Sequence, residues 1–130
     1  VQHGLRPVVI VSNDAANAAS PVITVVPLTS NRKKTSQPTH VCLRGYGLSV
    51  TSIVQCEQIM ALDKRYLVRR IGEVGHWYDR LAIQHALAVQ LGIEYDPQPP
   101  YDAGSPRKAP EDVVAFLRAN SRFVLTGRND

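Results

Sequence analysis

Short apolar runs separated by polar turns occupy the first half of this chain. Residues 7–11 are apolar without interruption and end at the triplet Ser12-Asn13-Asp14, a pattern typical of a buried strand that stops at a turn. The same pattern predicts four further strands, over residues 21–28, 39–43, 52–61 and 67–71. The predicted 52–61 strand is long and polar near its centre, so we expect it to bend. Strands this short, with frequent turns between them, favour a small barrel or sandwich over alternating βαβ units.

Three intervening segments lack the strand pattern and are predicted to be loops. Residues 15–20 are small, residues 29–38 are polar and basic, and Gly45-Tyr46-Gly47 is a turn sequence. We therefore expect these segments to connect the strands without regular structure of their own.

From residue 74 to residue 91 the apolar positions recur with the period of a helix, and Gly92 follows as a stop signal. The predicted buried face carries Val74, Trp77, Tyr78, Leu81, Ala82, Ala88, Val89 and Leu91. His85 lies on this face, where a packed, hydrogen-bonded histidine is more common than a catalytic one. We expect Trp77 and Tyr78 to pack in the core rather than stack on bases, whereas for Tyr66 both interpretations stay open.

The residues after this helix form an extension. Residues 94–109 are rich in proline and aperiodic, as in an extended linker. Pro110-Glu111-Asp112 then begins a short helix that ends near Asn120, and residues 122–126 favour one more strand. The sequence thus predicts a mainly β domain with C-terminal helices: residues 1–93 form a barrel plus helix, and residues 94–130 add a linker, a short helix and a strand.

Composition narrows the class of protein. With 130 residues the chain is expected to form one domain, and its 44% apolar content disfavours bulk disorder and a membrane protein. No export leader is visible, and the lack of an initial Met fits a processed or trimmed product. Cys42 and Cys56 lie in apolar segments, so we expect two buried free thiols in a reducing cytoplasm. No paired Cys or His spacing indicates a metal site.

The net charge of +4 is compatible with a polyanionic partner but does not by itself indicate one. The densest basic cluster is Arg32-Lys33-Lys34. A charge run of this kind is most often a solvated loop, although its position shortly after Thr29 strengthens the case for a binding role.

Three segments occur in a distinctive order: Gly4-Leu5-Arg6-Pro7 before a strand, Pro21 through Ser30, and Cys56-Glu57-Gln58-Ile59. Together they resemble the MazF/PemK family of toxin endoribonucleases, over roughly residues 2–93. The resemblance implies a small antiparallel SH3-like barrel of the plasmid-maintenance-toxin type, working as a cytoplasmic homodimer. It also implies sequence-specific cleavage of single-stranded mRNA without a metal or other cofactor, and neutralisation by a cognate antitoxin protein.

The resemblance assigns catalysis to Arg6 and Thr29. In this family the RNA's own 2′-hydroxyl attacks, leaving a 2′,3′-cyclic phosphate and a 5′-hydroxyl. The residue types suit that chemistry, because a guanidinium grips phosphate at two points and a hydroxyl donor stabilises charge on the phosphoryl oxygens. On spacing alone, Arg6 is more often a surface arginine at a strand end and Thr29 a turn residue. The full set of motifs reverses that preference.

Contacts to the RNA are expected from seven further residues, namely Gln2, Gly4, Ser30, Lys33, Lys34, Glu57 and Gln58. The amide of Gln58 and the carboxylate of Glu57 suit base edges, but either side chain could equally brace the barrel. His3 has two interpretations as well, a general base for the 2′-hydroxyl or a mobile N-terminal residue.

The sequence also departs from the family pattern. Members usually begin with another strand before the Gly-x-Arg-Pro segment, and its absence would expose a sheet edge. Residues 122–126 could supply that strand, within the chain or by exchange between protomers. Two alternatives stay open: a non-enzymatic toxin of this fold that poisons DNA gyrase, and an inactive relative that binds antitoxin or RNA.

Overall fold

Seven strands and two α-helices make up the part of the protein described by the structure, a computed structural model covering residues 6–31, 37–94 and 123–128. The strands are β1 (Arg6–Ile10), β2 (Val22–Thr29), β3 (His40–Leu43), β4 (Ser52–Gln55), β5 (Met60–Asp63), β6 (Leu67–Glu73) and β7 (Val124–Arg128). The helices are α1 (Asp14–Ala19) and α2 (Trp77–Leu91). Short 3₁₀ helices span Cys56–Gln58 and Lys64–Tyr66.

The strands form one antiparallel sheet in the order β3-β4-β2-β1-β7-β6, with β5 pairing to β2 outside this path. Strand β2 is the longest of the described strands, because two strands pair with it along the same edge. Its first half pairs with β5, from Val22 opposite Asp63, and its last residues pair with β4, where Thr29 is opposite Ile53. The mainly β, antiparallel fold expected from the sequence is confirmed.

Strand β7 comes from the C-terminal extension and lies between β1 and β6 of the same chain. Val8 is opposite Thr126 on one side, and Thr126 is opposite Arg70 on the other. A strand was predicted here two residues earlier, at 122–126. Its pairing with β1 within the chain confirms that this segment can stand beside the Gly-x-Arg-Pro strand.

Both faces of the central strands are buried, which explains the unbroken apolar run at the start of the chain. Successive side chains of a strand point to opposite faces. Val9 accordingly packs in the main core with Leu125 and Ile83, whereas the neighbouring Val8 packs in a second cluster with Ile23 and Val25. A strand covered on both sides has no polar alternation.

Residues 14–19 form helix α1, so the predicted loop over 15–20 is wrong. The turn triplet at its start is also a good helix-start sequence: the Asn13 side chain accepts a hydrogen bond from the Ala16 amide at 2.8 Å. Asp14 adds an acid in the first turn, where the helix dipole favours negative charge. The signal that ended a strand was therefore equally the signal that began a helix.

The predicted 52–61 strand is two strands joined by a bend. The Cys56–Gln58 3₁₀ helix separates β4 from β5, and the two halves pair with opposite ends of β2. The expected bend is therefore confirmed.

Helix α2 begins later and faces differently than predicted. Its buried residues are Arg80, Leu81, Ile83, Ala86 and Ala88. Tyr78, Val89 and Leu91 are 64%, 40% and 54% exposed, so their predicted place on the buried face is wrong. His85 is exposed as well, rather than packed. Gly92 ends the helix in the left-handed conformation (φ 67°), as predicted.

Part of this difference arises because α2 packs against residues distant in the chain. The guanidinium of Arg80 lies 5.8 Å from the centre of the Phe123 ring, just before β7. Hydrophobic periodicity considers only apolar residues, so it could not predict a buried arginine.

The two cysteines differ in exposure. Cys56 is buried, but Cys42 is exposed, so the expectation of two buried thiols is wrong for Cys42. Cys42 lies on β3, where alternate residues are buried. Both cysteines are free.

The 95–122 part of the extension and the Arg32-Lys33-Lys34 cluster lie outside the described residues. Within the described ranges, no helix is both long and apolar enough to cross a membrane.

Candidate functional site

A groove of about 510 Å³ opens where β1 begins and β2 ends. Its walls come from β1, β2, the β3–β4 loop, β4, the Cys56–Gln58 3₁₀ helix and the last residue of β7. The lining residues are Arg6, Pro7, Pro27, Leu28, Thr29, Ser30, Leu48, Ser49, Val50, Ser52, Gln55, Gln58 and Arg128. The groove is thus assembled from segments that are widely separated in the sequence.

Strand register brings Arg6 and Thr29 to the same place. In the β1–β2 pair, Val8 is opposite Pro27. Extending this register by two residues brings Arg6 level with Thr29, and an even step keeps both on one face of the sheet. Both line the groove, so the structure brings together the two residues expected to act as a pair.

The Thr29 hydroxyl is oriented by the backbone. Its oxygen accepts a hydrogen bond from the Asn31 amide at 3.1 Å. A hydroxyl that accepts one bond still carries a proton to donate. Thr29 can therefore offer a hydrogen bond to an anionic oxygen in the groove.

The charged residues of the described groove lining are all basic. Among its described lining residues, Arg6 and Arg128 are cationic, and none is acidic. The rest are hydroxyl, amide and apolar groups. Such a lining suits a polyanion whose phosphates meet the arginines and whose bases meet amides and apolar side chains.

Other predicted site residues divide into three groups. Ser30 and Gln58 line the groove with Arg6 and Thr29. Glu57 is absent from the described lining. Gln2, Gly4, Lys33 and Lys34 lie outside the described residues, as does His3.

Glu57 is engaged inside the fold. Its carboxylate accepts a hydrogen bond from Thr39 Oγ1 at 3.0 Å and lies 2.9 Å from His40 Nε2. The His40 side chain is only 3% exposed. Burial acts to raise the pKa of Glu57, but hydrogen bonds, chiefly with His40, outweigh it and lower that pKa below the ordinary value. The carboxylate thereby ties the Cys56–Gln58 3₁₀ helix to β3.

A family profile described as PemK-like, MazF-like toxin of type II toxin–antitoxin system matches residues 1–91. Endoribonuclease MazF of Staphylococcus epidermidis is 35% identical over 94 residues, which cover 71% of this chain and 78% of that protein. The chain belongs to the PemK/MazF-like toxin family.

Solved structures of PemK/MazF-like toxins share its fold. A mycobacterial endoribonuclease in complex with its cognate antitoxin is 31% identical, with a TM-score of 0.63, and the match covers 74% of this chain and 89% of that one. The Mycobacterium tuberculosis toxin MazF-mt6 matches with a TM-score of 0.62 at 23% identity, over 69% of this chain and 89% of that one.

Several residues of the groove in this PemK/MazF-like chain were not predicted from the sequence. Leu48, Ser49 and Val50 come from the β3–β4 loop, which is tied down when Tyr46 Oη donates to Asp79 Oδ2 of α2 at 2.6 Å. Burial, together with this bond, raises the pKa of Tyr46 to about 12, so the phenol keeps its proton. The turn sequence pointed to this loop, but nothing in it pointed to a groove.

Close packing explains the glycines beside that loop. A Cβ on Gly47 would lie 2.3 Å from the Ile71 carbonyl oxygen, and one on Gly72 would lie 2.0 Å from that of Tyr46. Larger residues at these positions would push the loop away from β6.

Arg128 was likewise missed, because it lies in the extension beyond the residues that match the family profile. Within the described residues there is also no group of three or more His, Cys, Asp or Glu side chains that could hold a metal ion.

Proposed function

We propose that this protein cleaves single-stranded mRNA at short specific sequences, by attack of the RNA's 2′-hydroxyl, to leave a 2′,3′-cyclic phosphate and a 5′-hydroxyl. Family membership makes the chain a MazF-type endoribonuclease toxin of a toxin–antitoxin system. The observation that carries the finer proposal is the meeting of Arg6 and Thr29 in one cationic groove.

The proposed reaction needs charge stabilisation more than it needs a metal. As the 2′-oxygen attacks, negative charge accumulates on the non-bridging oxygens of the phosphate. A guanidinium carries a permanent positive charge and can bind two of these oxygens at once, which suits Arg6 to this role. The Thr29 hydroxyl donates a further hydrogen bond. The same permanent charge makes Arg6 unsuited to accept the 2′-hydroxyl proton, a role for which the sequence offers His3.

We assign base recognition to uncharged polar side chains of the groove. Gln58 presents both donor and acceptor groups, and Ser30 adds a hydroxyl, so both suit the edges of splayed bases. For Glu57, the bonds to Thr39 and His40 favour the bracing alternative over direct contact with RNA. Gln2, Gly4, Lys33 and Lys34 complete the proposed RNA contacts.

The proposal includes protein partners. A cognate antitoxin would compete with RNA by placing an acidic segment in the groove, and the mycobacterial relative solved with its own antitoxin supports such a partner. We further propose a homodimer that works in the cytoplasm, a compartment consistent with the two free cysteines.

Incubation of the purified protein with a long single-stranded RNA in EDTA tests the reaction. We expect cleavage at a few sites, with products that carry a 2′,3′-cyclic phosphate and resist 5′-phosphate-dependent exonuclease. Cleavage that requires added divalent metal, or products with a 5′-phosphate, would contradict the mechanism. Intact RNA together with inhibition of DNA gyrase would instead identify a gyrase poison. Intact RNA with antitoxin or RNA binding alone would identify an inactive relative.

A further inference from the structure

Arg128 extends the row of side chains formed by Thr29 and Arg6. In the β1–β7 pair, Arg6 and Arg128 are directly opposite each other. Side chains that are directly opposite in an antiparallel pair lie on the same face, with Cβ atoms about 4.5–5.5 Å apart. Thr29, Arg6 and Arg128 therefore lie side by side across three neighbouring strands, and all three line the groove.

We propose that Arg128 binds a phosphate of the RNA beside the one held by Arg6. This inference rests on the proposed function, because it takes single-stranded RNA as the occupant of the groove. It assigns to the C-terminal extension a direct part in substrate binding, and Arg128 lies outside residues 1–91, which match the family profile.

The placement of Arg128 suits a fixed phosphate contact. The residue is only 9% exposed, and its Nη1 donates a hydrogen bond to Met60 Sδ at 3.0 Å. A side chain that is already held loses little rotamer freedom when a ligand binds. Interactions with an anion are also stronger at a partly desolvated site than in open water.

The direct pairing of Arg6 with Arg128 also supports a phosphate contact. Like charges directly opposite each other in a sheet destabilise it, and here no described lining residue of the groove is acidic. A phosphate backbone would place beside both guanidinium groups the negative charge that the described lining does not supply.

The test compares Arg128→Gln with Arg69→Gln, a matched control. Arg69 is exposed on β6, opposite Gly127, and is absent from the groove lining. Binding is measured to short random-sequence single-stranded DNA, which lacks the attacking 2′-hydroxyl, at several salt concentrations. Cleavage of RNA is measured in parallel, and thermal melting checks that each variant folds.

We expect Arg128→Gln to weaken binding. The slope of log K against log salt is negative, and its magnitude should fall by about 0.7, the value for one phosphate contact on a single strand. We expect Arg69→Gln to keep the wild-type slope, and Arg128→Lys to restore it because the charge returns. The KM for RNA should rise in Arg128→Gln. A folded Arg128→Gln variant with wild-type slope and wild-type KM would overturn the inference.

A second measurement covers the case in which Arg128→Gln fails to fold. The Nε–Hε resonance of Arg128 in the wild-type protein, assigned by its loss in Arg128→Lys, should shift when the DNA is added, while that of Arg69 stays in place. An Arg128 resonance that does not move at saturating DNA would refute the inference. A wild-type protein that binds DNA through Arg128 but never cleaves RNA would contradict only the proposed reaction.

Discussion

The Arg6 guanidinium and the Thr29 hydroxyl lie on strands that are consecutive in the chain. Consecutive antiparallel strands commonly pair, so motif order and spacing could indicate that these two residues meet. The structure adds the register that puts them on one face and the Asn31 amide that orients the hydroxyl. At both positions the type of side chain suits the binding of a phosphate.

Replacing Thr29 with Val tests its role as a donor, because Val has nearly the same shape and no hydroxyl. We expect kcat for RNA cleavage to fall about 10²–10³-fold, the usual loss for one donor to a developing oxyanion. Thr51→Val is the matched control, since Thr51 does not belong to the described groove lining. Equal kcat values for the two variants would show that the Thr29 hydroxyl takes no part in the reaction.

Glu57 acts at the residue scale as a brace. Its folded pKa is depressed, so the ionised form is favoured in the native protein. A group of this kind contributes stability above its unfolded pKa of about 4.3 and loses that contribution as the pH falls through the lower folded value.

Glu57→Gln should therefore lower the free energy of unfolding at neutral pH, and the gap to wild type should close as the pH falls below about 4. Urea unfolding over a pH series measures this gap. The exposed Glu94→Gln variant serves as the control and should follow wild type throughout. A gap that stays constant with pH would show that the ionised carboxylate adds no stability.

Strand β7 is the element on which the central sheet depends. It joins β1 to β6, and Phe123 and Leu125 from this segment are buried in the main core at 2% and 0% exposure. The extension therefore contributes to the sheet, to the core and, through Arg128, to the groove.

Leu125→Ala should destabilise the protein by about 2–5 kcal/mol, because the substitution removes a core side chain and leaves a cavity. Val68→Ala on the neighbouring β6 is the control. Val68 is 52% exposed, so its loss should stay within about 0.5 kcal/mol. Urea unfolding measures both changes. Similar small losses for the two variants, or an unchanged melting temperature after deletion of residues 110–130, would show that β7 does not dock.

At the scale of the whole molecule, the antiparallel β fold and much of the strand layout were predictable, because continuous apolar runs and turn residues are local signals. Helix α1 was missed because Ser12-Asn13-Asp14 serves both to end a strand and to cap a helix. The buried face of α2 was only partly predicted, since Arg80 is covered by Phe123 from the other end of the chain.

The sequence by itself determined which short segments become strands and where α2 stops, and it predicted that Arg6 and Thr29 act as a pair. Each of these depends on neighbours in the chain or on consecutive strands. Only the tertiary structure decided that β7 lies beside β1, that Arg128 joins the row of Thr29 and Arg6, and that Glu57 braces instead of lining the groove. Contacts between segments that are distant in the chain form only as the whole core assembles. Local sequence patterns therefore do not predict which distant segments will pair.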